Sequence, residues 1–388
     1  MSNQLDVQYQ QCTRCIMDTT AVDIVFDANG VCNYCRDFIA QASAVIFENS
    51  QQRRLRLENL VNEIKESGKG KPYDCIVGVS GGVDSSWTLV QAKRLGLRPL
   101  AVHMDNGWNS ELAQHNIANL IQRLGVDLYT HVIDWEEYRA LMQAFFDADV
   151  IDVELLYDNA MLAVNYQQAN SFGLKYILAG TNLATEGMKM PPGWNWFKYD
   201  RKNISRIANR GGVKKLHSFP ALGVVSYLYY EAIKQIHWIS FLDLLEFNKF
   251  NALDTLEAEY GYKRYPYKHY ESVFTRFYQG YILPNKFGVD KRKVHLSTLV
   301  ASGQLSREDA LAGIADIAYP STSELQQDLE YFCKKMKWDI TTLEQYIHRP
   351  GVSHEQYGTE RALFDVPMNV VQSLPTSIKN LIMRSFKR

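Results

Sequence analysis

From residue 73 onward, short apolar runs alternate with stretches of helical period. Residues 73–79 form an apolar run of strand length, and 87–95 carry apolar side chains at helical spacing up to Gly96, a natural stop. The alternation continues with a strand over 99–104, a helix from near Ser110 to Gly125 and a strand over 128–133. Helical stretches over 135–147 and 159–171, closed by Gly173, lead to a fourth strand at 176–179. Repeated βα units with short connections predict an α/β fold, a doubly wound parallel sheet wrapped by helices. Upstream, 46–67 interleaves charge with Leu55, Leu57, Leu60, Val61 and Ile64 in a helical pattern that the Gly/Lys/Pro run 68–72 breaks. Beyond about residue 215 the strand signal fades. Ser306, Ser321 and Thr342 each precede an acidic or amide residue three positions on, the arrangement of a capping box. The expected organisation is an N-terminal module over 1–45, the α/β domain over 46–215 and a mainly helical lobe over 216–388.

The first strand and helix are joined by Ser80-Gly81-Gly82-Val83-Asp84-Ser85-Ser86. A strand, a Ser/Gly loop and a helix N-terminus make an anion site, because the glycines let backbone approach closely and the unpaired amides and helix dipole favour negative charge. A tight turn of small residues is the plainer reading. The pattern is neither G-x-x-x-x-G-K-[ST] nor G-x-G-x-x-G. It resembles the PP-loop of the ATP pyrophosphatases, which implies ATP cleaved between its α and β phosphates.

Ligands bind parallel sheets at the carboxyl ends of the strands. The second strand ends in His103, Asp105 and Asn106, and the fourth in Gly180, Thr181 and Asn182, followed by Glu186 and Lys189. These clusters are expected to meet the loop in one crevice, although any single Asn or Gly there also suits an ordinary turn. Residues 263–293 hold eight Lys or Arg against Glu271 and Asp290, threaded with Tyr265, Tyr267, Tyr270, Phe274, Phe277, Tyr278 and Tyr281. That segment reads either as a surface for a diphosphate or an RNA backbone, or as a basic face over an aromatic core.

Six cysteines change the picture at the N-terminus. Cys12-x-x-Cys15 and Cys32-x-x-Cys35 have the spacing of a four-cysteine zinc site, with a strand and an Asn-Gly turn between them, as in a zinc ribbon. Two disulfides or an iron–sulfur cluster would use the same residues. Cys75 lies in the first strand and Cys333 in a predicted helix, and neither has the setting of a nucleophile. The net charge of −1 gives no global attraction to nucleic acid or membrane. No stretch approaches the roughly 20 apolar residues of a membrane span, and the first residues lack a secretory pattern. A cytoplasmic protein is expected.

Taken together, Cys-Thr-Arg-Cys-Ile-Met-Asp, Cys-Asn-Tyr-Cys, S-G-G-V-D-S-S, H-M-D-N-G-W, G-T-N-L-A-T-E, Lys268-His269-Tyr270-Glu271-Ser272 and residues 279–284 resemble the N-acetyl sugar amidotransferases of bacterial surface-polysaccharide (LPS/O-antigen) biosynthesis. Residues 152–159 depart from that family's pattern, where a Pro-Thr-Asp-His-like run is expected, so the resemblance carries no substrate role to them. It implies conversion of an N-acetyl group on a nucleotide-linked sugar to an acetamidino group, with ATP, Mg²⁺ and Zn²⁺ as cofactors. Ser80, Gly81, Gly82, Ser85 and Ser86 would cradle pyrophosphate, and Asp84 would hold Mg²⁺. Residues 103–106 and 180–182 would frame adenosine, while Glu186 and Lys189 would orient the sugar or neutralise the α-phosphate. Ammonia would come from a separate glutaminase subunit, with or without a cyclase-like companion. Nucleic acid and membrane are not expected as partners. The competing readings are a tRNA-modifying PP-loop enzyme and a zinc-stabilised nucleotide sensor.

Overall fold

The computed structural model describes residues 8–265 and 270–365. Helices α1 (Asn33–Ala42) and α2 (Ser50–Ser67) precede the sheet. The chain then alternates β1 (Cys75–Gly78), α3 (Val83–Arg94), β2 (Pro99–Asp105), α4 (Glu111–Leu124), β3 (Leu128–Val132), α5 (Trp135–Asp147), α6 (Leu155–Ser171), β4 (Tyr176–Ala179) and α7 (Leu183–Glu186). With a fifth strand, β5 (His237–Ser240), all strand pairings in the sheet are parallel, in the order β3-β2-β1-β4-β5. Alternation along the central strands sends Ile76 and Ile177 into one core and Val77 and Leu178 into the other. Both faces are therefore covered by helices, which is why these strands read as continuous apolar runs.

The fifth strand, β5 (His237–Ser240), lies in the stretch expected to be helical. It has four residues and is mostly half-exposed, so it carries neither an apolar run nor a clean alternation. Its pairing with β4 comes from docking. The sheet thus draws on both sides of residue 215. Helices dominate beyond it, including Lys249–Tyr260, Arg292–Ala301, Thr322–Met336 and Ile340–His348. Ser306 and Ser321 cap as expected, accepting from the amides of Asp309 and Glu324. The third cap is Asp339 instead, because its carboxylate accepts both the amide and the hydroxyl of Thr342 and leaves Thr342 inside the helix. No helix among the described residues is long and apolar enough to cross a membrane.

Candidate active site

Gly82 is the N-cap of α3, extended at φ −74° and ψ 162°, and no side chain caps the first turn. The first-turn amides therefore lack the usual side-chain acceptor and sit at the positive end of a 12-residue helix. Gly81 has φ +85°, and a Cβ there would stand 3.0 Å from the Ala113 carbonyl oxygen, so only glycine fits. The loop is braced from within: Ser85 Oγ accepts the Ser80 amide at 3.2 Å and donates to the Gly82 carbonyl at 3.1 Å. Ser86 is buried, so the structure keeps Ser80 and Ser85 at the loop and withdraws the third serine from it.

The end of β4 presses against this turn. A Cβ on Gly180 would lie 2.6 Å from the Ser85 nitrogen. Asn182 caps α7 by accepting the Thr185 amide at 2.9 Å and donates to the Gly180 carbonyl at 3.0 Å. Thr185 Oγ1 donates to Asp84 Oδ2 at 3.0 Å, which orients the carboxylate beside the phosphate loop. Thr181 is exposed and reaches Ser240 of β5. Glu186 and Lys189 are exposed just beyond. A carboxylate held at the mouth of an uncapped helix N-terminus suits Mg²⁺ with a polyphosphate, so Asp84 fits the role expected of it.

The end of β2 joins from the other side. His103 is buried with both ring nitrogens engaged: Nδ1 lies 2.8 Å from the Val79 carbonyl, and Nε2 lies 3.0 Å from the Asn109 amide nitrogen. Nδ1–H donates and Nε2 accepts, so the ring is neutral, and burial holds its pKa below the ordinary histidine value. Asp105 and Asn106 accept the amides of Gly107 and Trp108, shaping the turn after the strand. The three strand ends expected to converge do so. Their detailed work includes bracing one another, since His103 has no ring nitrogen left for a ligand.

The helical lobe supplies residues that sequence reading left unassigned. The hydroxyls of Tyr262 and Tyr265 both donate to the Gly81 carbonyl at 3.0 Å. The Ser110 amide donates to the Glu271 carbonyl at 2.9 Å, and Glu271 Oε1 lies 3.4 Å from where a Gly82 Cβ would stand. Thr185 sat in the quoted G-T-N-L-A-T-E, and Tyr262 at the edge of the aromatic segment; nothing local marked either.

Most cations of the basic run over 263–293 are already answered by carboxylates among the described residues. Arg264, Arg276, Lys286, Lys291, Arg292 and Lys293 are all in ion pairs, with Asp254 and Glu257, Asp328, Asp149, Glu154, Asp290 and Asp18. Tyr270, Phe274, Phe277 and Tyr278 are core residues. Tyr267, Lys268 and His269 lie outside the described residues.

At the N-terminus, Cys12, Cys15, Cys32 and Cys35 are buried with their sulfurs within 4.8 Å of one another. The Cys12–Cys35 and Cys15–Cys32 separations are 3.9 and 3.8 Å, close to the edge of a tetrahedron with bonds of about 2.3 Å. They are much longer than the roughly 2.05 Å of a disulfide. The set fits one tetrahedral ion such as zinc, with no open position. Arg307 ties the module to the helical lobe by donating to the Cys12 and Cys15 carbonyls, both at 3.0 Å.

Residues 54–189 match the family model for NAD synthase, and residues 271–372 match that for "LPS biosynthesis protein WbpG-like, C-terminal domain". GMP synthase [glutamine-hydrolyzing] of Pyrobaculum aerophilum is 37% identical over 95 residues, which is 22% of this chain and 18% of that protein. Among solved structures, the NH3-dependent NAD synthetase of Campylobacter jejuni is 14% identical, covering 54% of this chain and 84% of that one at a TM-score of 0.28. The NMN synthetase of Francisella tularensis is 14% identical, covering 57% and 100% at 0.25. The two family models coincide with two features already described. The first covers the PP-loop and strands β1 to β4, and the second begins at Glu271, where the helical lobe reaches the loop. Two stretches of the chain are thus similar to known families, residues 54–189 to NAD synthase and residues 271–372 to the C-terminal domain of the WbpG-like LPS biosynthesis proteins.

Proposed function

We propose that this protein converts the N-acetyl group of a nucleotide-linked sugar to an acetamidino group, using ATP and ammonia. The observation that carries the reading is one juxtaposition. The turn after β2, beside the uncapped PP-loop helix N-terminus, pairs with the first residues of a WbpG-like domain through Ser110–Glu271 and the Asn109–Ser272 bridge, and Glu271 Oε1 comes within 3.4 Å of where a Cβ on the loop residue Gly82 would stand.

An amide carbonyl is a poor electrophile, and its oxygen is a poor leaving group. Attack of that oxygen on the α-phosphorus of ATP forms an O-adenylated imidate and releases pyrophosphate. Ammonia then adds to the activated carbon, and AMP departs with the original oxygen. The α3 amides and Ser80 and Ser85 receive the pyrophosphate charge, in an arrangement that folding has already fixed. Mg²⁺, when bound, neutralises charge on the phosphates, with Asp84 to hold it. Glu186 and Lys189 are assigned to orient the sugar or neutralise the α-phosphate.

Ammonia is assigned to a separate glutaminase subunit, with or without a cyclase-like companion. Cys75 and Cys333 are buried, and burial raises both thiols above the ordinary cysteine value. That makes each a poor nucleophile. If the isolated protein used glutamine as efficiently as ammonium, the partner would be unnecessary.

The test is pyrophosphate release from Mg-ATP and ammonium across UDP- and CMP-linked N-acetyl sugars, with bulk tRNA as a parallel acceptor. Release dependent on one sugar, with oxygen replaced by NH in the product, is expected. Release with tRNA alone would replace this reading by RNA modification, and none with any acceptor, glutaminase included, would leave a nucleotide sensor.

A further inference from the structure

Helix α6 runs antiparallel to the strands, and Asn165 marks where it passes the sheet. A Cβ on Gly78, the last residue of β1, would lie 3.1 Å from Asn165 Oδ1. The turns before Asn165 therefore project beyond the strand end, on the side of the phosphate loop. Glu154, Asp158, Met161 and Asn165 are spaced four, three and four apart and share one face. Asp158 lies seven residues before Asn165, so it stands about 10 Å beyond the end of β1.

There it belongs to a built cluster. Lys198 Nζ is 2.7 Å from Asp152 Oδ2 and 2.8 Å from Asp158 Oδ2. The Lys198 backbone is pinned to the same helix, since Asn159 Nδ2 donates to its carbonyl at 2.7 Å. The Asp152 side chain is fully buried, whereas that of Asp158 is 36% exposed and Lys198 25%. Asp158 Oδ1 takes no hydrogen bond among the described residues. Asp152 Oδ1 is buried without a partner among them. Desolvation pushes the Asp158 carboxyl above its ordinary range although Lys198 opposes it. Next to it, Tyr157 is half-buried, and burial with the nearby charges of Glu271 and Asp158 raises its phenol above the ordinary tyrosine value.

Two carboxylates on one ammonium leave excess negative charge. That is wrong for a diphosphate and right for hydroxyl and N–H donors. The geometry points to Asp158 as a specificity residue of the acceptor subsite, its free oxygen taking a hydrogen bond from a ring hydroxyl of the sugar while Lys198 and Asp152 hold the carboxylate in place. This rests on the sugar amidotransferase reading. It adds that the subsite recognises the uncharged face of the sugar and leaves the diphosphate outside.

The experiment compares the wild-type protein with Asp158→Asn, which keeps the shape, and Asp158→Ala. Kinetic constants are measured for sugar, ATP and ammonium, using the acceptor identified above and its monodeoxy analogues. The sugar KM, or kcat/KM, is expected to worsen roughly 10- to 100-fold, as for loss of a hydrogen bond to a charged group, with ATP KM unchanged as the folding control. One deoxy analogue should cost the wild type a similar factor and cost Asp158→Asn almost nothing. Sugar-dependent wild-type turnover with an unaltered sugar KM in both variants would overturn the inference alone, as would a change confined to the ammonium KM. Wild-type protein that uses no sugar at all would overturn the function and this inference with it.

Discussion

The phosphate loop and the charged cluster at the head of α6 lie at the same, carboxyl end of the sheet and are built in opposite ways. The loop is one contiguous stretch, residues 80–86, whose donors are backbone amides left without a side-chain cap. The cluster gathers Asp152, Glu154, Asp158, Lys198, Lys291 and His354 from four segments, and most of its charge is answered internally. His354 shows how tightly. Its Nε2 accepts the Asp152 amide at 3.2 Å, its Nδ1 lies 2.8 Å from Asn203 Oδ1, and Trp196 stacks on it at 4.9 Å. A site that must take and release a polyphosphate keeps its donors open, while a wall that must hold its shape satisfies its own groups. Substitutions in the loop should therefore act on turnover, and those in the cluster on stability, Asp158 at its exposed edge excepted.

The largest effect expected is for Asp84→Ala, which should lower ATP turnover about 1,000-fold, near 4 kcal/mol, with an unchanged unfolding midpoint. Near-normal pyrophosphate release would remove Asp84 from the reaction and blur the contrast. Next comes Lys291→Met. The Lys291–Glu154 pair is 2.7 Å long with both side chains over 90% buried. Removing the cation leaves Glu154 with only Gln279, so urea denaturation should show a loss of about 3 kcal/mol. A loss of only a few tenths would mean that water already answers Glu154.

Acid should weaken the cluster by a smaller amount. Burial holds His354 at about 4, below its ordinary 6.5, so the unfolded chain binds the proton first. Stability is then lost as pH falls from about 6.5 toward 4, by about 2 kcal/mol between pH 7 and 5. Asp152, held down at about 2 chiefly by Lys198 against its burial, adds a further loss only below its ordinary 3.8. Replacing His354 by Gln should flatten the first interval, and an unflattened profile would assign that loss to other groups. The smallest effect is expected for Tyr262→Phe. It removes one of two phenols on the Gly81 carbonyl and should cost about 1 kcal/mol of stability, with a weaker ATP KM. No change in ATP KM would mean that Tyr265 alone fixes that carbonyl.

What was legible in the sequence follows the same division. The phosphate loop, the cysteine pairs and four strands are short-range patterns, so spacing alone exposed them. Fifth-strand residues 237–240 and the caps at Asp339 were less visible, because pairing and side-chain reach select them. Of the basic run's two readings, the ion pairs favour the basic face over an aromatic core. Residue types reveal charge, but only the fold reveals that Asp328, Glu154 and Asp18, from distant segments, answer Arg276, Lys291 and Lys293.

The sequence by itself determined the chemistry this protein can address: a glycine-rich helix start for phosphate, four cysteines at metal-ligand spacing and a C-terminal region of recognisable type. Backbone conformation and ligand spacing over a few residues suffice for these. Tertiary structure decided which carboxylates are available. Asp84 is oriented by Thr185 beside the phosphate loop, Asp152 and Glu154 are closed off by lysines, and Asp158 keeps one oxygen without a partner among the described residues. The physical reason is that a carboxylate's solvation and partners are set by segments far away in the chain, which no local pattern can record.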